Sequence, residues 1–144
     1  MIGQFIAMPD QFRLDHPAID MQHEVLFALY NELKISQEDH EMAFDLGDIF
    51  LGLNGYVATH FLFEEELMAA FHYTDTAMHH EEHRRLSENV ALLHNRFKQA
   101  KTLPEQQQIA NDVAQFLLNW LAHHIAEVDR KLVRHLNTLP AALS

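Results

Sequence analysis

The sequence predicts an all-α protein: an antiparallel up-down-up-down four-helix bundle with an N-terminal non-helical arm. Three observations predict it. Apolar residues recur with the helical period over four long stretches. The 144 residues include only 4 glycines and 4 prolines, so breaks are few, and the prolines lie at or beyond the ends of those stretches. No segment alternates with period two for long enough to make a strand. Long helices joined by a few residues must run antiparallel to their neighbours.

The elements follow in order. Residues 1–16 carry no periodic pattern, yet Ile2, Phe5, Ile6, Met8, Phe12 and Leu14 are too apolar to float in water, so this arm is expected to pack along the bundle. The bundle is expected over residues 17–139, with a tail at 140–144. Helix A runs from about Pro17 to Ile35, with Asp15 or His16 as its cap and proline at its first position. Its inner stripe is Ile19, His23, Leu26, Phe27, Tyr30 and Leu33. Helix B runs from about Asp39 to Phe71, with Leu46, Ile49, Leu53, Tyr56, His60, Glu64 and Met68 inward. Gly47, Gly52 and Gly55 each cost roughly 1 kcal/mol against alanine, so its first half is expected to fray or bend. Helix C starts after Thr74 or Asp75 and runs to about Lys101, with His79, His83, Leu86, Val90, Leu93 and Phe97 inward. Helix D runs from about Leu103 to Asn137, with Val113, Leu117, Trp120, His124 and Val128 inward. Thr102 and Glu105 have capping-box spacing at its start, and Pro140 closes it.

Composition excludes several functions. Ten Lys and Arg against 21 Asp and Glu give a net charge of −11, so the basic footprint of a nucleic-acid binder is missing. Cysteine is absent, which removes disulfide scaffolds, iron–sulfur clusters and thiolate zinc sites. No apolar run reaches a membrane span and no signal segment opens the chain, so the expectation is a cytoplasmic protein with no membrane partner. Histidine stands out, with 12 copies.

Those histidines enter the inner stripes. His60 and Glu64 are four residues apart on helix B, and His79 and His83 are four apart on helix C, so each pair lies on one face and can grip one cation. His23 and His124 add one imidazole each from helices A and D. A lone buried histidine is more often a satisfied core residue, and the acidic run after His60 could be a solvated face. Four helices that all turn ligands inward are harder to explain that way, because a dry core tolerates such groups only when paired or metal-bound. Carboxylate di-iron sites of the ferritin type need Glu-x-x-His pairs, and the chain has none. The His79–His83 stretch reads HHEEH, so the glutamate of a metalloprotease motif is missing after its first histidine. A single tetrahedral zinc would use only part of the set. On helix D the acid partner is open: Asp129 lies about 140° round an α-helix from His124, and Glu127 and His123 compete with it.

The stretches IDMQH (Ile19–His23), HFLFEEELM (His60–Met68), HHEEH (His79–His83) and WLAHHIAEVD (Trp120–Asp129) resemble the hemerythrin family, in particular its bacterial members, over about Phe12 to Leu136. The resemblance implies two iron ions joined by an oxo or hydroxo bridge. His79, His83 and His124 would hold one, His23 and His60 the other, and Glu64 and Asp129 would bridge them. Five imidazoles, two bridging carboxylates and one solvent bridge then leave one position open on the ion with two histidines. In the family that position takes dioxygen, with one electron drawn from each iron. Leu121 and Trp120 are candidates to wall the ligand pocket. Tyr56 reads first as core packing. His16, His40, His72, His80, His94, His123 and His135 are expected outside the ligand set. Two departures from the family pattern stand out: His72-Tyr73-Thr74 replaces a Gly-Tyr-Pro loop, and Asp15-His16 replaces Gly-Ile.

The function expected is reversible dioxygen binding, for transport or storage, by a protein that is not an enzyme. An alternative is an oxygen- or redox-sensing input domain with a fused or associated signalling output domain, to which the short tail after helix D is suited. A second alternative is a di-iron enzyme acting on peroxide or nitric oxide. A metal-free helical interaction module is the bland reading.

Overall fold

The computed structural model describes residues 8–38 and 46–139. The arm holds one 3-10 turn, Asp10–Phe12. Four rods follow: α1 (Pro17–Glu38), α2 (Leu46–Ala70), α3 (Thr76–Gln99), and a long last rod built of α4 (Leu103–Asn119), a π-helical segment (Trp120–Asp129) and α5 (Arg130–Asn137). No strand occurs among the described residues. Consecutive rods are neighbours, and the last returns beside α1. Cross-rod pairs run in opposite order along each partner. Gln22 meets His60 and Leu29 meets Gly52 between α1 and α2. Asn54 meets His94 and Glu65 meets His80 between α2 and α3. Arg96 meets Asp112, while Glu82 faces His124 further along. The bundle is therefore antiparallel, as the short connections required.

Local chemistry sets the helix starts. Of the two candidate caps for α1, His16 takes the role: its Nδ1 accepts from the Ile19 N–H at 3.2 Å. Asp20 reaches back to the N–H groups of Leu14 and His16 at 2.8 and 3.3 Å. At α4 the Thr102 hydroxyl accepts from the Glu105 N–H at 3.3 Å while the Glu105 carboxylate accepts from the Thr102 hydroxyl and the Lys101 N–H, a capping box.

Helix α2 runs without interruption through Gly47, Gly52 and Gly55. A methyl on Gly52 would come within 2.9 Å of Leu29, so this glycine lets α1 approach. The expected start of helix B at Asp39 lies outside the described residues, as do Pro140, the tail and the first seven residues of the arm. Met8, Phe12 and Leu14 of the arm are buried. Arg130 ties the arm to the last rod by donating to the carbonyls of Gln11 and Ala126.

The core divides along the rods. One end is apolar, filled by Leu33, Leu46, Ile49, Phe50, Leu53, Val90, Ile109 and Val113. Burial of each such side chain contributes about 1.5–3 kcal/mol. The other end is where the buried histidines collect. Among the described residues, no helix is long and apolar enough to cross a membrane.

Both departures from the family's glycines fall on left-handed backbone. His72 has φ 54° and Asp15 has φ 60°. After α2 the Tyr73 N–H donates to the Met68 carbonyl at 3.1 Å, which closes a Schellman motif with His72 at its left-handed position, where glycine is favoured. The turn thus holds a histidine where the backbone is strained for any residue with a side chain.

One expectation is corrected. Helix D does not keep the α period through Trp120–Asp129; that segment is π-helical. An α-helix would turn Val128 inward. Here Val128 is only half-buried, and Asp129 is fully buried instead. In a π-helix each N–H bonds five residues back, so Asp129 lies over His124.

Candidate metal centre

Each rod delivers its polar residues to one level of the interior. From α1 comes His23; from α2, His60 and Glu64; from α3, His79 and His83; from the π segment, His124 and Asp129. All seven are buried, with at most 2% of any of them exposed. Their ligand atoms form two groups within 4.8 Å. Glu64, His79, His83, His124 and Asp129 make one; His23, His60, Glu64 and Asp129 make the other. The two groups share Glu64 and Asp129.

The carboxylates face the imidazoles atom by atom. Asp129 Oδ1 lies 3.0 Å from the Nε2 atoms of both His79 and His124. Its Oδ2 lies 2.8 Å from Nε2 of His23 and 3.6 Å from that of His60. Glu64 Oε1 is 3.0 Å from His83 Nε2 and 3.2 Å from those of His60 and His79. One aspartate therefore looks to both groups at once, one oxygen to each.

Two of the five outer ring nitrogens have a hydrogen-bond partner, while those of His23, His79 and His124 have none. His60 Nδ1 donates to the Gln22 carbonyl oxygen at 2.6 Å, and His83 Nδ1 donates to Glu65 Oε2 at 3.0 Å. Glu82 lies 3.8 Å from His124 Nδ1, and His124 holds its carboxyl below the usual range. The sequence reading missed Gln22, Glu65 and Glu82. The signal was present: each is the immediate neighbour of an inward residue, turned about 100° from it and so toward the next rod. Gln22 serves α2, Glu65 serves α3, and Glu82 serves the last rod.

These contacts test whether a cation fits. Glu65 accepts only, so His83 donates from Nδ1, and its Nε2 turns a lone pair at Glu64 unless a second proton sits there. Two acceptors at 3.0 Å repel unless a cation stands between them. His60 Nε2, His124 Nε2, Glu64 Oε2 and Asp129 Oδ1 are buried without a hydrogen-bond partner. Electrostatics agree. Burial alone would lower the basicity of His60 and His79, yet the negative charges of Glu64 and Asp129 outweigh it and push them up to about 10 and about 9. Burial likewise would lower His124, and Asp129 reverses that. Burial would raise the Glu64 and Asp129 carboxyls, but the surrounding histidines hold both well below the usual range. The site demands positive charge, which protons supply in the absence of metal.

Around this centre, Trp120 and Leu121 are buried on the π segment. Phe61 stacks flat on His83, ring centroids 4.0 Å apart. Tyr56 stacks on His60 at 4.9 Å, but its hydroxyl has no partner. His16, His72, His80, His94, His123 and His135 lie outside both groups; His40 lies outside the described residues.

Residues 15–136 match the model of the hemerythrin HHE cation binding domain. The chain is similar to a bacteriohemerythrin of Stenotrophomonas maltophilia, 28% identical over 92% of this chain and 84% of that one. A bacteriohemerythrin of Methylococcus capsulatus is 30% identical over 77% of this chain and 80% of its own. A hemerythrin-like protein of Naegleria gruberi is 28% identical, covering 83% and 84%.

Proposed function

The chain belongs to the hemerythrin family, and from that premise we propose that it is a non-haem di-iron protein that binds dioxygen reversibly at one open coordination position. The observation that carries the reading is Asp129, whose two oxygens face different histidine groups. His79, His83 and His124 would hold one iron, His23 and His60 the other, and Glu64 and Asp129 would bridge them. That division leaves the second iron one donor short, because two octahedral ions need one more bond than five imidazoles, two bridging carboxylates and a solvent bridge provide. When bound, two ferrous ions supply the two electrons that uptake of dioxygen requires.

The chain's own residues prepare the centre. Gln22 and Glu65 fix the rings of His60 and His83 through their outer nitrogens, so the Nε2 lone pairs converge. Two carboxylates and a hydroxo bridge would offset three of the four positive charges of two divalent ions, and five neutral imidazoles would supply the other donors, which eases burial of the charge in a dry interior. Leu121 and Trp120 wall the open side and keep water from it, which protects against irreversible oxidation.

The test is an oxygen cycle. Iron is loaded anaerobically as Fe(II), oxygen is admitted, and the optical spectrum is followed. Two irons per chain are expected, with a visible charge-transfer band that bleaches on deoxygenation. Less than one iron per chain, or a band that never reverses, refutes the proposal. Catalytic consumption of peroxide or nitric oxide would instead favour an enzyme.

A further inference from the structure

Two hydrogen-bond donors in the interior have nothing to bond to. Tyr56 Oη and Trp120 Nε1 are both buried and partnerless. They belong together, because the two rings meet edge to face with centroids 5.8 Å apart. Tyr56 lies on a particular side of the centre, whereas Trp120 meets His124 of the other group, with ring centroids 6.3 Å apart. Tyr56 stacks on His60 with an interplanar angle of 16°, and His60 is in the group with only two histidines. A buried hydroxyl with no partner is destabilising, so its presence here calls for a ligand that satisfies it.

Resting on the di-iron reading above, we propose that the Tyr56 hydroxyl donates a hydrogen bond to the outer atom of a small ligand bound at the open position. The ligand class is one whose terminal atom carries negative charge: small anions such as azide, and dioxygen once it has drawn electrons. Tyr56 is thus a positioning and specificity residue; it favours charge-bearing ligands over neutral ones of the same size. Trp120 lies beside it as a second donor.

The probe is azide on the ferric, iron-loaded protein. In the wild type, the azide stretch should shift between H2O and D2O. Tyr56→Phe should keep its iron, lose most of that shift, and bind azide about tenfold more weakly, the equivalent of about 1.4 kcal/mol. The metal-free variant should unfold at a higher urea concentration than wild type, because an unsatisfied buried group is gone. A hydroxyl serving the fold would move stability the other way. No isotope shift in the wild type overturns the inference without any variant. So does unchanged azide affinity in Tyr56→Phe, or a folded variant that has lost iron. A wild-type chain that takes up no iron overturns the di-iron reading together with this one; failure confined to the Tyr56 measurements overturns this one alone.

Discussion

Replacing Glu65 by alanine should weaken iron binding about 10- to 30-fold, although Glu65 reaches neither group of inward ligand atoms. Its Oε2 holds the outer nitrogen of His83 at 3.0 Å, and its Oε1 meets the outer nitrogen of His80 at 3.0 Å. The His83 side chain is 2% exposed and that of Glu65 30%, so the bond is largely shielded but not dry. A hydrogen bond to a charged group is worth about 1.5–3 kcal/mol, and partial exposure argues for the lower half, about 1.5–2 kcal/mol. At about 1.4 kcal/mol per decade that is the stated loss in affinity. The ring of His83 would no longer be locked with Nε2 inward, and the ordering of that ring would have to come from the metal. Anaerobic competition with a chromogenic Fe(II) chelator measures the change. His80→Ala is the control: that side chain is 63% exposed, and its bond to Glu65 should matter less than about threefold. Wild-type affinity in Glu65→Ala, or equal losses in both variants, would refute the reasoning.

Other outcomes follow from the same geometry. Asp129→Ala should abolish stable binding of the metal pair, as should Glu64→Ala, whereas Glu127→Ala should retain it, since Glu127 is exposed and pairs with His123; iron per chain measures all three. The metal-free protein should lose stability as pH rises. His60 and His79 go up from 6.5 to about 10 and about 9 on folding, so their contribution is complete below pH 6.5 and disappears as pH passes through 9 to 10. Glu64 and Asp129 are shifted down from 4.5 and 3.8, so theirs is present above those values and lost on acidification below them. Urea midpoints of the metal-free chain should therefore fall between pH 7 and 10; a rise would contradict the site's charge balance. At pH 8, loading a divalent metal should release protons from His60 and His79, with His124 adding to them, measurable from the buffer dependence of the binding heat. His72→Gly should stabilise the fold by a few tenths to about 1 kcal/mol, because it removes left-handed strain but loosens the unfolded chain; the shift in urea midpoint reads it.

The rods and most of the inward residues are legible in the chain's own pattern. The helical period survives in residue order alone, so Ile19, His23 and Leu26, or Leu53, Tyr56, His60 and Glu64, could be read onto one face before any coordinates, and those residues are buried. The cap at Thr102 was legible for the same reason, since its partner is three residues away. The meeting of the faces was not legible in this way. Which rods are adjacent, and that Gln22, Glu65 and Glu82 reach across to histidines of the next rod, depends on contacts between residues 15 or more apart in the chain. Asp129 shows the boundary most clearly. A wheel of fixed period turns it away from His124 and turns Val128 in. The last rod instead widens to a π-helix over Trp120–Asp129, and this local change of period brings the acid over the histidine. Helical propensity is a property of the chain, but the period a segment adopts is decided by what its side chains find across the bundle.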